Sequence, residues 1–267
     1  MFNSNSIDTL CAALSNAIGV TAPEFAATAN TELNTYISNK TNNYGVDRVF
    51  MYNPDAIGQW VCNKYPHLIK EVKALTDIEV EFKTVMPSVT PVCFATMYTG
   101  VQPSVHGIQA YEKSVIKIET IFDVLIKANK RVAIVSTIND SISKIFLERN
   151  MDYFILDTVE QVNAKACELI LKDEHDFIVV YNRNYDSTMH KFGPESIEAL
   201  SEIKANSQAY ATFDSMIKEH WKNHTTLVGF ATDHGCHEID DNLGSHGLEM
   251  PEDINIVHFY KIHNKEI

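Results

Sequence analysis

From Val46 onward, short apolar runs alternate with longer amphipathic segments. Runs such as VAIVS at 132–136 and FIVVY at 177–181 are apolar at consecutive positions, which is typical of strands buried on both faces of a parallel sheet. The predicted strands are Val46–Tyr52, Val80–Val85, Val132–Ser136, Tyr153–Leu156, Phe177–Tyr181, Leu227–Ala231 and Ile256–Tyr260. The predicted helices are Ala56–Cys62, Val92–Tyr98, Thr120–Ala128, Ser141–Arg149, Val159–Lys172 and Glu195–Trp221. This alternation predicts an α/β fold with a mostly parallel central sheet and helices on both faces.

The first 45 residues follow a different pattern, which predicts a helical extension packed on the core. Ser6 can cap a helix over Ile7–Ala17, and Ala22-Pro23-Glu24 can open a second helix that ends near Ile37. The extension carries no catalytic pattern, so we expect a role in packing or in oligomer contacts. Residues 46–267 are expected to form one α/β domain.

Composition narrows the class of protein. A net charge of −13 argues against a nucleic-acid-binding surface but is compatible with carboxylates gathered around a metal. The five cysteines show no pairing pattern, so reduced thiols are expected. No signal peptide is recognisable and no apolar run is long enough to span a bilayer. These features predict a cytoplasmic protein without a membrane partner, and they leave a homo-oligomer open.

A hydroxyl residue, Thr90, stands between the predicted strand Val80–Val85 and the helix that follows. Pro91 suits the first turn of that helix and Gly100 suits its C-terminal end. The Thr90 hydroxyl would therefore lie at a strand-to-helix turn, beside backbone N–H groups that favour an anion. The alternative reading is an N-terminal cap without chemistry.

Polar clusters with Asp, His or both follow several predicted strands. Asp55 follows the first strand, 182–194 contains Asp186 and His190 four residues apart, 232–237 contains Asp233 and His234, and 244–247 contains His246. Open α/β sheets collect their ligands at the carboxyl ends of the strands. Carboxylate and imidazole are common ligands of divalent metals. A single Asp-His pair is weak evidence, whereas four clusters at strand ends predict a metal site.

The order of these motifs resembles the alkaline phosphatase superfamily, in its nucleotide pyrophosphatase/type I phosphodiesterase branch. That branch has a strand ending in Asp, a Thr nucleophile before a helix, T-G-x-x-P-x-x-H-G, D-x-x-x-H-x-x-G-P, D-H-G and a late H-G. The corresponding segments here are Asp55, Thr90, 99–107, 186–194, 233–235 and 246–247.

The resemblance implies a two-metal hydrolase of phosphoric esters, acting on a phosphodiester or pyrophosphate of a nucleotide-like substrate through a phospho-Thr90 intermediate. It implies a catalytic domain over 46–267 and two divalent ions, usually zinc, although manganese or iron could use the same ligands. One ion would be held by Asp186, His190 and His246. The other would be held by Asp55, Asp233 and His234, with Thr90 beside it.

Two departures from the family leave the substrate open. The branch has an Asn shortly after the H-G pair that helps to hold the phosphoryl group, whereas this chain has Tyr111 and Lys113 nearby. Either residue could donate to phosphate or be an ordinary surface residue. Only eleven residues separate His234 from His246, where larger relatives carry a long insertion, so we expect a more open site.

Several alternatives use the same scaffold. A phosphomonoesterase, a phosphonate hydrolase or a phosphomutase could share the predicted dimetal site, as could a non-catalytic protein that binds metal or nucleotide. Thr90 argues against a sulfatase, which needs a Cys or Ser at this position for conversion to formylglycine. His106 and Asp214 are expected to be structural or to support the site. Cys93 and Cys236 are expected to pack, and His237 is expected to lie behind the metal ligands.

Overall fold

A central sheet organises the molecule in the computed structural model, which describes residues 1–266. Its strands are β1 (Asn5–Ser6), β2 (Arg48–Pro54), β3 (Ile78–Lys83), β4 (Val132–Thr137), β5 (Asp152–Leu156), β6 (Phe177–Asn182), β7 (Thr226–Phe230) and β10 (Asn255–His263). Two short strands, β8 (His237–Ile239) and β9 (Leu243–Ser245), form a separate hairpin.

The strand order of the central sheet, within the described part of the chain, is β1-β3-β10-β7-β2-β6-β4-β5. Strand β2 pairs in parallel with β6 and β7, and β4 pairs in parallel with β5 and β6. Strand β10 is antiparallel to both of its neighbours. The predicted α/β fold with a mostly parallel sheet is confirmed, and the carboxyl ends of β6, β2 and β7 lie side by side.

The helices are α1 (Thr9–Ala17), α2 (Thr31–Thr41), α3 (Gln59–Lys64), α4 (Lys70–Leu75), α5 (Thr90–Thr99), α6 (Pro103–His106), α7 (Ile121–Lys127), α8 (Ser141–Ile145), α9 (Val159–Lys172), α10 (Asn184–Phe192), α11 (Ile197–His220) and α12 (Pro251–Ile254). They cover both faces of the sheet. Alternate residues of β2 show this division, because Val49 and Met51 join a core with α1, α5 and α7, whereas Phe50 and Tyr52 join a core with α9 and α11.

The N-terminal segment differs from its predicted structure. Helix α1 starts at Thr9 rather than Ile7, because Ser6 pairs with Lys83 in the sheet. The helix predicted to open at Ala22 is wrong: α2 starts only at Thr31, where the Asn30 side chain accepts a hydrogen bond from the Leu33 N–H. Helix α1 packs on α5. The domain boundary at residue 45 stays a prediction.

The remaining bounds differ by a few residues. Strand β2 extends through Pro54, and α8 ends at Ile145 rather than Arg149. The Arg149 side chain instead contacts Asp123 and carbonyl groups at Ile116 and Leu147. Among the described residues, no helix has the length and apolar character needed to cross a lipid bilayer.

Candidate active site

The carboxyl ends of β2 and β7 form a buried acidic group. Asp55 follows β2, and Asp233 and His234 lie just beyond β7. Their ligand atoms all lie within 4.8 Å of one another, and the three residues are 0–1% exposed. The Ala56 N–H donates to Asp233 Oδ1 over 3.2 Å and so fastens the two strand ends together.

Glycine permits the close approach behind this group. A Cβ at Gly235 would lie 2.0 Å from the Glu252 carbonyl oxygen and 3.0 Å from Gly58 Cα. Any larger residue would push the loop that follows His234 away from the start of α3. The Gly in Asp233-His234-Gly235 therefore has a packing role.

A second, partly exposed group lies beside the first. Asp186 and His190 are one turn apart on α10, which places them on one face, and His246 follows β9. Asp186 Oδ1 lies 3.2 Å from His190 Nε2 and 3.3 Å from His246 Nε2. The rings of His234 and His246 are 4.2 Å apart between centroids. The structure thus brings the six predicted metal ligands together as two adjoining groups.

Each imidazole of the site is oriented by a backbone carbonyl. His190 Nδ1 donates to Gly244 O over 2.9 Å, His234 Nδ1 to Gly235 O over 2.9 Å, and His246 Nδ1 to Ser88 O over 3.0 Å. A carbonyl oxygen only accepts, so each Nδ1 carries the hydrogen. In the neutral ring each Nε2 then presents a lone pair to the site, which is the arrangement that metal-binding histidines adopt.

The carboxylates of the site also fit metal ions. Asp55 Oδ1, Asp186 Oδ1 and Asp233 Oδ2 are buried, and within residues 1–266 none of them has a hydrogen-bond partner. A buried carboxylate oxygen without a partner carries a substantial desolvation cost. Divalent cations at the two groups would compensate that cost, so the residues present fit two metals.

The two groups differ in how their surroundings shift the pKa values of their residues. Burial, with a further contribution from the Asp186 carboxylate, raises the pKa of Asp55 to about 7. Burial also raises the pKa of Asp233 well above its ordinary value and lowers the pKa of His234 to about 3. Burial opposes ionisation of Asp186 too, but the neighbouring imidazoles of His190 and His246 outweigh it and hold the pKa of Asp186 below its ordinary value. The buried group therefore disfavours charge, whereas the partly exposed group is arranged as an ion cluster.

Thr90 lies on the buried side of the site. Its Oγ1 is 3.4 Å from Asp55 Oδ2 and 3.4 Å from His234 Nε2, and the residue is 3% exposed. Helix α5 is preceded by Val89 as its N-cap residue, with no capping hydrogen bond from a side chain. The Thr90 hydroxyl is thus directed at the candidate metal ligands and does not cap the helix.

Tyr181 is a residue that the sequence analysis missed. It lies near the end of β6, is 3% exposed, and its hydroxyl donates to Asp55 Oδ2. Its ring also packs edge-on against Phe94, one turn along α5 from Thr90, with centroids 5.4 Å apart. Tyr181 therefore fixes Asp55 relative to the helix that carries Thr90. It stands in an apolar strand, where a tyrosine gives no signal beyond packing.

The two residues predicted to bind phosphate lie in the segment between α6 and α7. Tyr111 is 63% exposed, and Lys113 Nζ donates to Asn139 O over 2.7 Å while lying over the Tyr111 ring. Among the described residues, neither side chain hydrogen-bonds to the six candidate ligands. A phosphate role for Tyr111 or Lys113 stays a prediction.

The supporting residues have defined partners. His106 Nε2 lies 3.0 Å from Thr96 Oγ1, and Asp214 Oδ1 lies 2.6 Å from His263 Nε2. His237 Nδ1 lies 2.7 Å from the buried Asp253, which also accepts from the Leu248 N–H. That pair fastens the β8–β9 hairpin and the segment carrying His246 to α12. Cys93 and Cys236 are free thiols in the core, as expected.

Sequence comparison agrees with this site. Residues 126–257, just under half of the chain, match the family model for type I phosphodiesterase / nucleotide pyrophosphatase. The matched segment contains Asp186, His190, Asp233, His234 and His246. The predicted resemblance to the nucleotide pyrophosphatase/type I phosphodiesterase branch is confirmed by this match. No curated protein matches the chain in sequence.

Solved structures share the fold. Murine ectonucleotide pyrophosphatase/phosphodiesterase 5 aligns with a TM-score of 0.57 at 19% identity, covering 73% of this chain and 58% of its own. The human protein of the same name aligns with a TM-score of 0.58 at 17% identity. The alignment covers 72% of this chain and 58% of the human one. Phosphonoacetate hydrolase from Sinorhizobium meliloti 1021, in complex with phosphonoformate, aligns with a TM-score of 0.55 at 18% identity. That alignment covers 71% of this chain and 56% of the hydrolase. This chain therefore spans less than three-fifths of the length of these structures.

Proposed function

We propose that this protein is a two-metal hydrolase of phosphoric esters that acts through a phospho-Thr90 intermediate. The observation that carries the proposal is the position of the Thr90 hydroxyl, 3.4 Å from both Asp55 and His234 and beside the second group of candidate ligands. The family match over 126–257 supports the same reaction class.

The two groups divide the metal ligands between them. Asp55, Asp233 and His234 would hold one divalent ion, and the second group would hold the other. Bound metals would lower the pKa of the nucleophilic hydroxyl and stabilise charge on the phosphoryl oxygens. Zinc is the ion we propose, because imidazole and carboxylate together suit it; manganese or iron could use the same ligands.

The reaction has two displacement steps. In the first, Thr90 Oγ1 bonds to phosphorus as the ester P–O bond breaks. The proton lost by the threonine is balanced by protonation of the departing oxygen. In the second step, water attacks phosphorus, the Oγ1–P bond breaks and the hydroxyl of Thr90 is restored. Helix α5 carries this hydroxyl, and the packing of its Phe94 against Tyr181 fixes the helix one turn beyond Thr90.

A nucleotide-like phosphodiester or pyrophosphate is the substrate class that the family match favours. A phosphonate is the second candidate, supported by the structural likeness to phosphonoacetate hydrolase. We further propose a reducing, cytoplasmic location, because the thiols of all five cysteines are free and four of them are buried.

The proposal is tested by hydrolysis of bis-p-nitrophenyl phosphate and p-nitrophenyl phosphate by the zinc-loaded protein. Thr90→Ala should abolish turnover, and Thr212→Ala, which removes a surface hydroxyl bonded within α11, should leave it unchanged. A preference for the diester supports a phosphodiesterase, and a preference for the monoester supports a phosphatase. Turnover that persists in Thr90→Ala would refute the covalent mechanism.

A further inference from the structure

A cavity of about 510 Å³ adjoins the partly exposed ligand group. Asp186 and His190 line one part of it, and the His190 side chain is 41% exposed. The buried group offers no comparable opening, since Asp55, Asp233 and His234 are at most 1% exposed. A substrate that reaches the site from this cavity would therefore pass the residues that line it.

Arg183 lines the same cavity and keeps most of its hydrogen-bonding capacity. Its side chain is 44% exposed, and its one hydrogen bond within residues 1–266 is a long contact of 3.4 Å from Nη1 to Asp140 Oδ1. The other oxygen of Asp140 is already occupied by the Thr137 N–H at 2.9 Å and by the hydroxyls of Ser136 and Thr137. Arg183 therefore keeps guanidinium donors free at the edge of the cavity that it lines.

The lining of the cavity carries a second cation besides Arg183. Lys191, on the same helix as His190, also lines the cavity, next to the exposed Phe192. Glu202 is the acidic residue of the lining besides the candidate ligand Asp186. A guanidinium binds phosphate or carboxylate through paired hydrogen bonds, which a single ammonium group cannot match.

We infer that Arg183 selects substrates that carry a second anionic group beyond the phosphoryl centre. The inference rests on the proposed function, because it places the phosphoryl group at the two ligand groups. A terminal phosphate of a pyrophosphate and a carboxylate of a phosphonate share the chemistry that Arg183 would recognise. A plain aryl phosphate lacks this group.

The test measures binding of three probes to the zinc-loaded protein by calorimetry. Methylphosphonate carries the phosphoryl centre alone, methylenediphosphonate adds a phosphonate, and phosphonoacetate adds a carboxylate. Arg183→Gln should weaken at least one of the two larger probes by about tenfold or more relative to methylphosphonate. The probe that weakens most identifies phosphate or carboxylate as the second group.

Two further variants serve as controls. Arg183→Lys keeps the charge but loses the paired geometry. Its affinity for the larger probes should therefore be intermediate between those of wild type and Arg183→Gln. Arg131→Gln removes a surface arginine that pairs with Asp152 and Glu174 at the start of β4, and it should leave all three affinities unchanged.

Each alternative outcome has a distinct meaning. Equal weakening of all three probes by Arg183→Gln, or no weakening, overturns the inference and leaves the proposed function standing. Selective weakening without hydrolysis of any ester supports the inference and refutes the proposed catalysis. Failure of the wild-type protein to bind any probe, with both metals present, overturns both.

Discussion

The two ligand groups of the site differ in how the fold supports their charges. Asp55, Asp233 and His234 are fully buried at the ends of two neighbouring parallel strands. Asp186, His190 and His246 are held by a helix and by the segment after a short hairpin, and His190 is open to solvent. One group is deep and fixed by the sheet, and the other is shallow and accessible.

This difference indicates that the two ligand groups have different roles in the reaction. The deep group places unpartnered carboxylate oxygens beside Thr90, where exclusion of water strengthens electrostatic interactions. The shallow group balances Asp186 against two imidazoles and borders the cavity. We expect the deep group to serve the nucleophile, and the shallow group to meet the leaving group and the incoming water.

The largest expected effect is the loss of activity when Thr90, the proposed nucleophile beside the deep group, is replaced. Thr90→Ala should lower the turnover of a phosphoric ester by at least about 10³-fold, because the covalent route is lost. Metal content should stay unchanged, since the ligands remain. Thr90→Ser keeps a hydroxyl and should retain measurable turnover. Equal activity in Thr90→Ala and wild type would remove Thr90 from the mechanism.

The next prediction compares how one substitution in each ligand group changes the stability of the metal-free protein. Asp233→Asn should raise the free energy of unfolding by about 1–3 kcal/mol, because it removes a buried carboxylate whose charge burial disfavours. Asp186→Asn should lower it by a similar amount, because His190 and His246 lose their partner. Chemical denaturation in the presence of a chelator measures both. Shifts of the same sign would show that the groups do not differ in this way.

Low pH should lower the free energy of unfolding through a buried histidine next to the deep group. His258 is fully buried, its Nε2 lies 2.6 Å from the carbonyl of Thr232 next to Asp233, and burial lowers its pKa to about 4. The folded protein therefore keeps this ring neutral, while the unfolded chain takes up a proton below about pH 6.5. The resulting stability is complete above that pH and is lost as the pH falls towards 4. At pH 5 the loss should be about 2 kcal/mol.

Comparison of the pH dependence of unfolding in two variants isolates this residue. His258→Gln keeps a donor for Thr232 and has no titrating ring, so its stability should fall less between pH 7.5 and pH 5 than that of wild type. His67→Gln, at an exposed position, should follow wild type. A wild-type slope in His258→Gln would contradict the assignment.

The smallest effect concerns the residue behind Asp55. Tyr181→Phe removes the hydroxyl that donates to Asp55 Oδ2 and should weaken zinc binding by about tenfold, as loss of a partner behind a metal ligand commonly does. Tyr98→Phe is the matched control, because this buried hydroxyl donates to Asn53 instead of a candidate ligand. Titration with zinc in competition with a chelator measures both. Equal affinities in the two variants would make Tyr181 a packing residue only.

The fold could be predicted where the pattern of the sequence is a direct consequence of burial. The runs at 132–136 and 177–181 are apolar at each position because β4 and β6 are covered on both faces. The structure places strands at both, and each begins at the predicted residue and is one residue longer at its C-terminal end. Helix α9 has the predicted bounds, since Thr158 caps it and Asp173 ends it in a left-handed conformation.

Tertiary contacts override local signals in the N-terminal segment. Ala22-Pro23-Glu24 resembles a helix start, but this stretch is needed to cover the end of α5. The Ala27 N–H donates to Gly100 O over 2.7 Å, and a Cβ at Gly100 would lie 2.7 Å from the Ala26 side chain. Contacts between residues so distant in sequence leave no local periodicity, so the later helix start could not be predicted.

The site shows the same limit. The candidate ligands could be predicted because Asp and His after several strands form an unusual set, and topology places those strand ends together. The residues around them could not, because their significance depends on contacts. Tyr181 resembles a core tyrosine, and Arg183 resembles any polar residue at the start of a helix.

The number of zinc ions bound per chain tests the central claim most directly. After loading and gel filtration, elemental analysis of the wild-type protein should find two ions per chain. Asp233→Asn and Asp186→Asn should each retain one, because each change disrupts a different group. A single ion in the wild type, or two ions in both variants, would contradict the assignment of two separate metal positions around Thr90.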